Sequence, residues 1–187
     1  MDILEQVKQF AEKAHGDQQR KFEPEPYSVH LVRVMNLAKE YIQEIPVLAA
    51  ALLHDVLEDT PVNSGQINDF LIPLMGEKDT RRTLKLVTEL TDVYVKDNYP
   101  QWNRRKRKQK EAERLSQISP AGQTIKYADI IDNSTTIAKA EDDFVKVYLM
   151  ECHALLKVMK NGDPQLYKRA IDTVDRCMET YLSLKDR

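Results

Sequence analysis

An all-α, single-domain fold is what this 187-residue sequence predicts, and three observations predict it. Only 5 glycines interrupt the chain. No stretch alternates apolar and polar residues as a half-buried strand would, and apolar residues recur at helical spacing instead. The length suits one domain with a substantial core, and neither a linker nor an internal repeat divides residues 1–187.

Residues 2–15 carry Ile3, Val7, Phe10, Ala11 and Ala14, the apolar stripe of a first helix that ends near His15-Gly16-Asp17. A polar connection with Arg20-Lys21 and Pro24-Glu25-Pro26 cannot continue it. Tyr27 to about Glu40 resumes the helical period, with His30 near its start. Pro46 fits the first turn of the next helix, which the spacing carries through to Thr60 before Pro61 stops it. Ser64 is the expected N-cap of a helix over 65–75, and Asp79 that of one running to about Leu90. Pro120-Ala121-Gly122 separates the basic run 103–110 from a helix spanning Gln123 to about Ala140. A helix over 143–159 ends near Asn161-Gly162, and a last one begins at Pro164, with Leu166, Ala170, Val174, Cys177, Met178 and Tyr181 facing inward.

Composition excludes several function classes. A net charge of -2 supplies no global field for nucleic acid or membrane, so any affinity for phosphate must be local. Met1 to Gln6 lack a basic and then apolar leader, and no apolar run approaches membrane-spanning length. Cys152 and Cys177 lack zinc-ligand spacing and are expected as reduced thiols, which together with the missing leader places the chain in the cytoplasm. Its oligomeric state is not legible.

The chemistry concentrates in Ala49 to Thr60, where an aliphatic run ends in His54-Asp55 and then Glu58-Asp59. On a continuous helix His54 and Glu58 share one face and Asp55 and Asp59 the next. Carboxylates there oppose the helix dipole and call for a compensating cation. His30, the His54/Asp55 pair and Asp129 offer two imidazoles and two carboxylates, a nitrogen–oxygen set suited to a first-row divalent cation and not to structural zinc. Such a cation activates water and neutralises phosphate oxygens. Asn133 follows Asp129 by one turn and shares its face. The basic run with Trp102 and Tyr99 has three readings: a solvated helix beside Glu111 and Glu113, contacts to a phosphorylated substrate, or a single-stranded nucleic-acid surface, which is the least favoured. His15 reads as a helix-end residue, His153 as an ordinary core or surface residue, and Tyr148, Tyr167 and Tyr181 as packing.

Three blocks, Ala14-His15 through Arg20-Lys21 to Pro26-Tyr27-Ser28-Val29-His30, Ala50 to Thr60, and Lys126-Tyr127-Ala128-Asp129 through Asn133, resemble the HD-domain metal-dependent phosphohydrolases. More narrowly they are similar to the RelA/SpoT hydrolase domain and the small alarmone hydrolases. The resemblance implies that His30, His54, Asp55 and Asp129 bind one divalent metal, in this family typically Mn2+. It implies that Glu58 and Asp59 orient or deprotonate the attacking water, that Arg20 and Lys21 edge the nucleotide cleft, and that Asn133 hydrogen-bonds substrate. The implied reaction removes the 3′-pyrophosphate of ppGpp or pppGpp to give GDP or GTP. Leu31 stands where the family has proline, Phe22 sits in a slightly longer loop, and Asp132 replaces a histidine. Ile130 and Thr135 replace two arginines, which leaves open a phosphatase for another nucleotide or NADPH, or a nucleotide-binding regulator without turnover.

Overall fold

The computed structural model describes residues 2–140 and 142–185. Every regular element among them is a helix, joined by one isolated antiparallel bridge between Gln19 and Pro26, so the all-α expectation holds. The chain groups into two compact units, Met1–Thr91 and Asp92–Arg187.

In the first unit, α1 (Ile3–His15), α2 (Tyr27–Lys39) and α5 (Ser64–Leu90) pack around α3 (Ile45–Leu53). The central helix is apolar all round, and Pro46 to Leu53 are all buried, so it can only be a core element. Each fully buried leucine there contributes about 1.5–3 kcal/mol. Pro46 sits in the first turn as expected, where its missing N–H costs nothing. The helix does not run on to Thr60. It stops at Leu53, turns through His54 and Asp55, and resumes as the single turn α4 (Val56–Asp59). Asp55 has φ −100° and ψ −4°, the bridge region in which a helical ladder is lost.

The cap of α5 lies one residue earlier than the sequence suggested. Asn63 accepts from the Gln66 backbone N–H while the Gln66 side chain accepts from the Asn63 N–H, a reciprocal pair that Ser64 cannot better. The second break in this segment falls at Gly76, whose φ of 76° suits only glycine, and not at Asp79. Among the described residues no helix is long and apolar enough to cross a membrane.

The second unit contains α6 (Arg104–Leu115), α7 (Pro120–Ile137), α8 (Phe144–Val158) and α9 (Pro164–Lys185). Helix α7 packs on α8 and α9, and α6 lies on α8. Pro120 begins α7 instead of separating it from its neighbour, because Ser119 caps it by accepting from the Gly122 N–H. Helix α8 ends at Val158 with Met159 extended, before Asn161-Gly162. Cys152 is buried and Cys177 half-buried, and both are free thiols; burial pushes the Cys152 thiol up to about 12, so it stays protonated. On α9, Met178 is likewise only half-buried.

Side chains of α7 secure the α8–α9 loop. The Tyr127 hydroxyl donates to the Met159 carbonyl at 2.8 Å and accepts from the Gly162 N–H. Gln123 accepts from the Asn161 N–H and Thr124 from the Asp163 N–H. Gly162 has no positive φ; it is glycine because a Cβ would lie 2.5 Å from the Tyr127 ring and 2.9 Å from the Thr124 backbone nitrogen. Gly162→Ala is therefore expected to destabilise the protein by about 1–3 kcal/mol in urea unfolding, the range for overpacking a fitted site.

Candidate metal centre

Two helices and the turn between α3 and α4 build a polar cluster in the first unit. His30, on the first turns of α2, is fully buried, and His54, where α3 ends, is 2% exposed. The turn aims Asp55 back at both imidazoles: its Oδ2 lies 3.0 Å from His54 Nε2 and 3.6 Å from His30 Nε2. The two rings meet edge to face at 5.2 Å. One ligand atom from each of these three residues lies within 4.8 Å of the others.

His54 Nδ1 lies 2.8 Å from the Ala51 carbonyl oxygen, which can only accept, so Nδ1 carries the proton. In a neutral imidazole Nε2 then presents a lone pair to a carboxylate oxygen. Two acceptors at 3.0 Å require positive charge between or upon them, either a proton on Nε2 or a shared cation. The donor set therefore fits a divalent ion, and fits one better than an uncompensated apolar core would allow.

Around this cluster lie the other first-unit residues singled out from the sequence. Glu58 and Asp59 occupy α4, and their backbone N–H groups both donate to the Asp55 carbonyl. Partial desolvation raises the Asp59 carboxyl above the ordinary aspartate value although the residue keeps an exposed edge. Like-charge repulsion from Asp55 adds to the rise, and a hydrogen bond from Tyr27 together with His15 and His54 opposes it. Arg20 and Lys21 stand on the hairpin closed by the Gln19–Pro26 bridge, where the Arg20 N–H donates to the Glu25 carbonyl and the Tyr27 N–H to that of Gln18. The Arg20 guanidinium is 5.8 Å from the Tyr27 ring centre, and the Lys21 ammonium lies over Phe22 at 4.8 Å. His15 does end α1, but it is buried, stacked on Tyr27 at 4.7 Å and paired through Nδ1 with Gln18.

Asp129 belongs to the second unit, where α7 spacing sets its partners. Lys126, one turn before, places Nζ 2.8 Å from its Oδ2, and Asn133, one turn after, donates its amide to Oδ1. The three residues line a cavity of about 1240 Å³ together with Ile130, Tyr148 and Cys152. Tyr27 and Lys126 were not singled out by sequence reasoning. The signal was present in both cases, an i, i+3 step from each to a ligand-type residue, His30 and Asp129.

The basic run is largely consumed within its own unit. Arg104 grips Glu151 with two hydrogen bonds of 2.7 Å, Lys108 pairs with Asp92 at 3.0 Å and Lys110 with Glu113 at 2.7 Å. Arg107 donates to the Trp102 carbonyl, and Lys106 lies over the Trp102 ring. Glu111 is not the solvated flank that the sequence suggested. It is 3% exposed, accepts from the Val93 and Tyr94 N–H groups, and is bound by Arg114. His153, by contrast, is at the surface beside Asp175.

Fold and cluster together define a helical protein with a two-histidine, one-carboxylate cation site. The family model for the HD domain matches residues 27–134, and the chain belongs to the HD-domain family. A guanosine-3′,5′-bis(diphosphate) 3′-pyrophosphohydrolase of Aquifex aeolicus is 33% identical over 90 residues, covering 48% of this chain and 12% of that protein. A protein of Mycoplasma pneumoniae, named as a probable enzyme of the same kind, is 28% identical over 141 residues, covering 72% of this chain and 18% of its own length. The chain thus spans less than a fifth of these relatives.

Among solved structures, a metazoan ortholog of SpoT, described as hydrolysing ppGpp and playing a role in starvation responses, superposes with a TM-score of 0.76. It shares 23% identity, over 94% of this chain and 95% of that one. The protein lmo0812 of Listeria monocytogenes EGD-e gives a TM-score of 0.62 at 19% identity, over 85% and 99% of the two chains. At such identities the likeness is one of fold.

The role of Glu111 yields a stability prediction. Glu111→Ala is expected to cost about 3 kcal/mol in thermal or urea unfolding, because it strips a buried carboxylate from two N–H groups and a guanidinium. Arg105→Ala, on the exposed side of the same helix, is expected to stay within about 0.5 kcal/mol.

Proposed function

We propose that this chain is a metal-dependent phosphohydrolase that removes the 3′-pyrophosphate of ppGpp and pppGpp, giving GDP and GTP, and that residues 1–187 act as one HD-type domain in the cytoplasm. The carrying observation is the pair of facing acceptors, His54 Nε2 and Asp55 Oδ2 at 3.0 Å, inside a family match that continues through residues 27–134. The names of the curated relatives point to the substrate.

In this reading His30, His54, Asp55 and Asp129 hold one divalent cation, most simply Mn2+, a choice that the mixed imidazole and carboxylate donors favour. The ion, when bound, lowers the pKa of water and neutralises phosphate oxygens. Glu58 and Asp59 take the proton of the attacking water, whose oxygen forms the new bond to the phosphorus attached at the ribose 3′-oxygen. That bond to the 3′-oxygen breaks, the oxygen gains a proton, and pyrophosphate leaves. Arg20 and Lys21 offset the phosphate charge, and Asn133 reaches the substrate from the face it shares with Asp129.

A second reading keeps this chemistry and changes the substrate to another nucleotide or to NADPH. Ile130 favours it: the position has no cation to offer, and it lines the second-unit cavity beside Asp129 and Asn133.

A product assay against a panel of purine nucleotides and NADPH tests both. Pyrophosphate release from ppGpp is expected with Mn2+, lost on chelation, abolished in Asp55→Ala and reduced at least about 100-fold in Glu58→Ala, the usual loss for a proton-transfer group. Turnover confined to another panel member selects the second reading, and equal activity in both variants removes the mechanism. Metal analysis of the same preparations is expected to find about one ion per native chain, as a one-centre site requires, and far less in Asp55→Ala.

A further inference from the structure

Tyr27 is held from several directions more firmly than a first-turn helix residue needs. It follows Pro26 at the start of α2, and its backbone N–H is fixed to the Gln18 carbonyl at 2.9 Å. The His15 imidazole stacks on its ring at 4.7 Å and nearly parallel, 14° apart. The ring's edge meets His30 at 5.7 Å, and the Arg20 guanidinium lies 5.8 Å away. So constrained, the phenol hydroxyl donates to Asp55 Oδ2 at 2.7 Å. That oxygen is the one that faces both imidazole Nε2 atoms.

We propose that Tyr27, braced by His15, is the positioning residue of the metal centre: its hydroxyl locks the Asp55 carboxylate in the rotamer that points Oδ2 at His30 and His54. This rests on the metal-site reading above but not on the identity of the substrate. Asp55 needs such a lock because it sits in the break between α3 and α4, where no regular ladder fixes its χ angles. The donor must also be neutral. A lysine or arginine would order the carboxylate equally well but would cancel its charge and repel the incoming cation. Phenylalanine would keep every ring contact and lose the lock.

The test is calorimetric titration of full-length native protein and Tyr27→Phe with Mn2+ alone, together with thermal melts in EDTA and in excess Mn2+. The hydroxyl's loss is expected to raise the Mn2+ Kd 10- to 100-fold, the range for removing a hydrogen-bond partner of a metal ligand. The Mn2+-dependent part of the stability then falls by about 1.4–2.7 kcal/mol, while the melt in EDTA stays within about 2 °C of native. A Kd within threefold of native, or equal losses with and without the ion, overturns the proposal, since a packing role moves both melts together. Should Tyr27→Phe fail to fold, His15→Ala decides, with a three- to tenfold rise expected and an unchanged Kd refuting it. If the native chain takes up no Mn2+, the metal reading falls and this inference with it. If native binding is intact and Tyr27→Phe matches it, only this inference falls.

Discussion

The structure turns on two acceptors that face each other at 3.0 Å, His54 Nε2 and Asp55 Oδ2. Neither tolerates the other without positive charge, and each is held by a contact of its own: His54 through Nδ1 to the Ala51 carbonyl, Asp55 through Oδ2, which accepts from the Tyr27 hydroxyl. The charge conflict is therefore built into adjacent residues of one chain. Much of the first unit serves to keep it in place. The buried α3 cannot shift without exposing an all-apolar surface, and its last turn supplies the carbonyl that sets the His54 tautomer.

This explains why the most apolar helix of the chain runs straight into its most polar segment. A rigid, fully buried element is the best mount for groups whose geometry has to be held to a fraction of an ångström. The break after Leu53 then does what a continuous helix could not. In an unbroken helix adjacent side chains diverge by about 100°, so His54 and Asp55 would point apart. Turning through the bridge region at Asp55 folds the carboxylate back onto the imidazole beside it.

That break is also where sequence reasoning failed, and for an identifiable reason. Helical spacing from Ala49 to Thr60 is uninterrupted, with no glycine or proline to mark a turn, so periodicity alone extends the helix. The turn through His54 and Asp55 leaves no such mark in the residues themselves. Helix boundaries were legible where a local signal exists, such as Pro46, Pro61 and Pro164, and were displaced where two candidates competed, as with Asn63 and Ser64. The cluster of His30, His54 and Asp55 was legible from residue chemistry and resemblance. Tyr27 and Lys126 were not, because an aromatic or a lysine at helical spacing has many ordinary uses. The basic run left several readings open, because its cations are engaged by Glu151, Asp92 and Glu113 and by Trp102, partners too distant or too generic for spacing to reveal.

Asp55 in the first unit and Asp129 in the second differ in how the protein compensates them. Asp55 is paired with a neutral hydroxyl and keeps its full charge for an incoming ion. Asp129 is buried against the Lys126 ammonium at 2.8 Å and an asparagine amide, so its charge is already met within α7. A buried carboxylate without such a partner would carry a desolvation cost of several kcal/mol, so the Lys126 ammonium one turn before Asp129 is what lets α7 bury it.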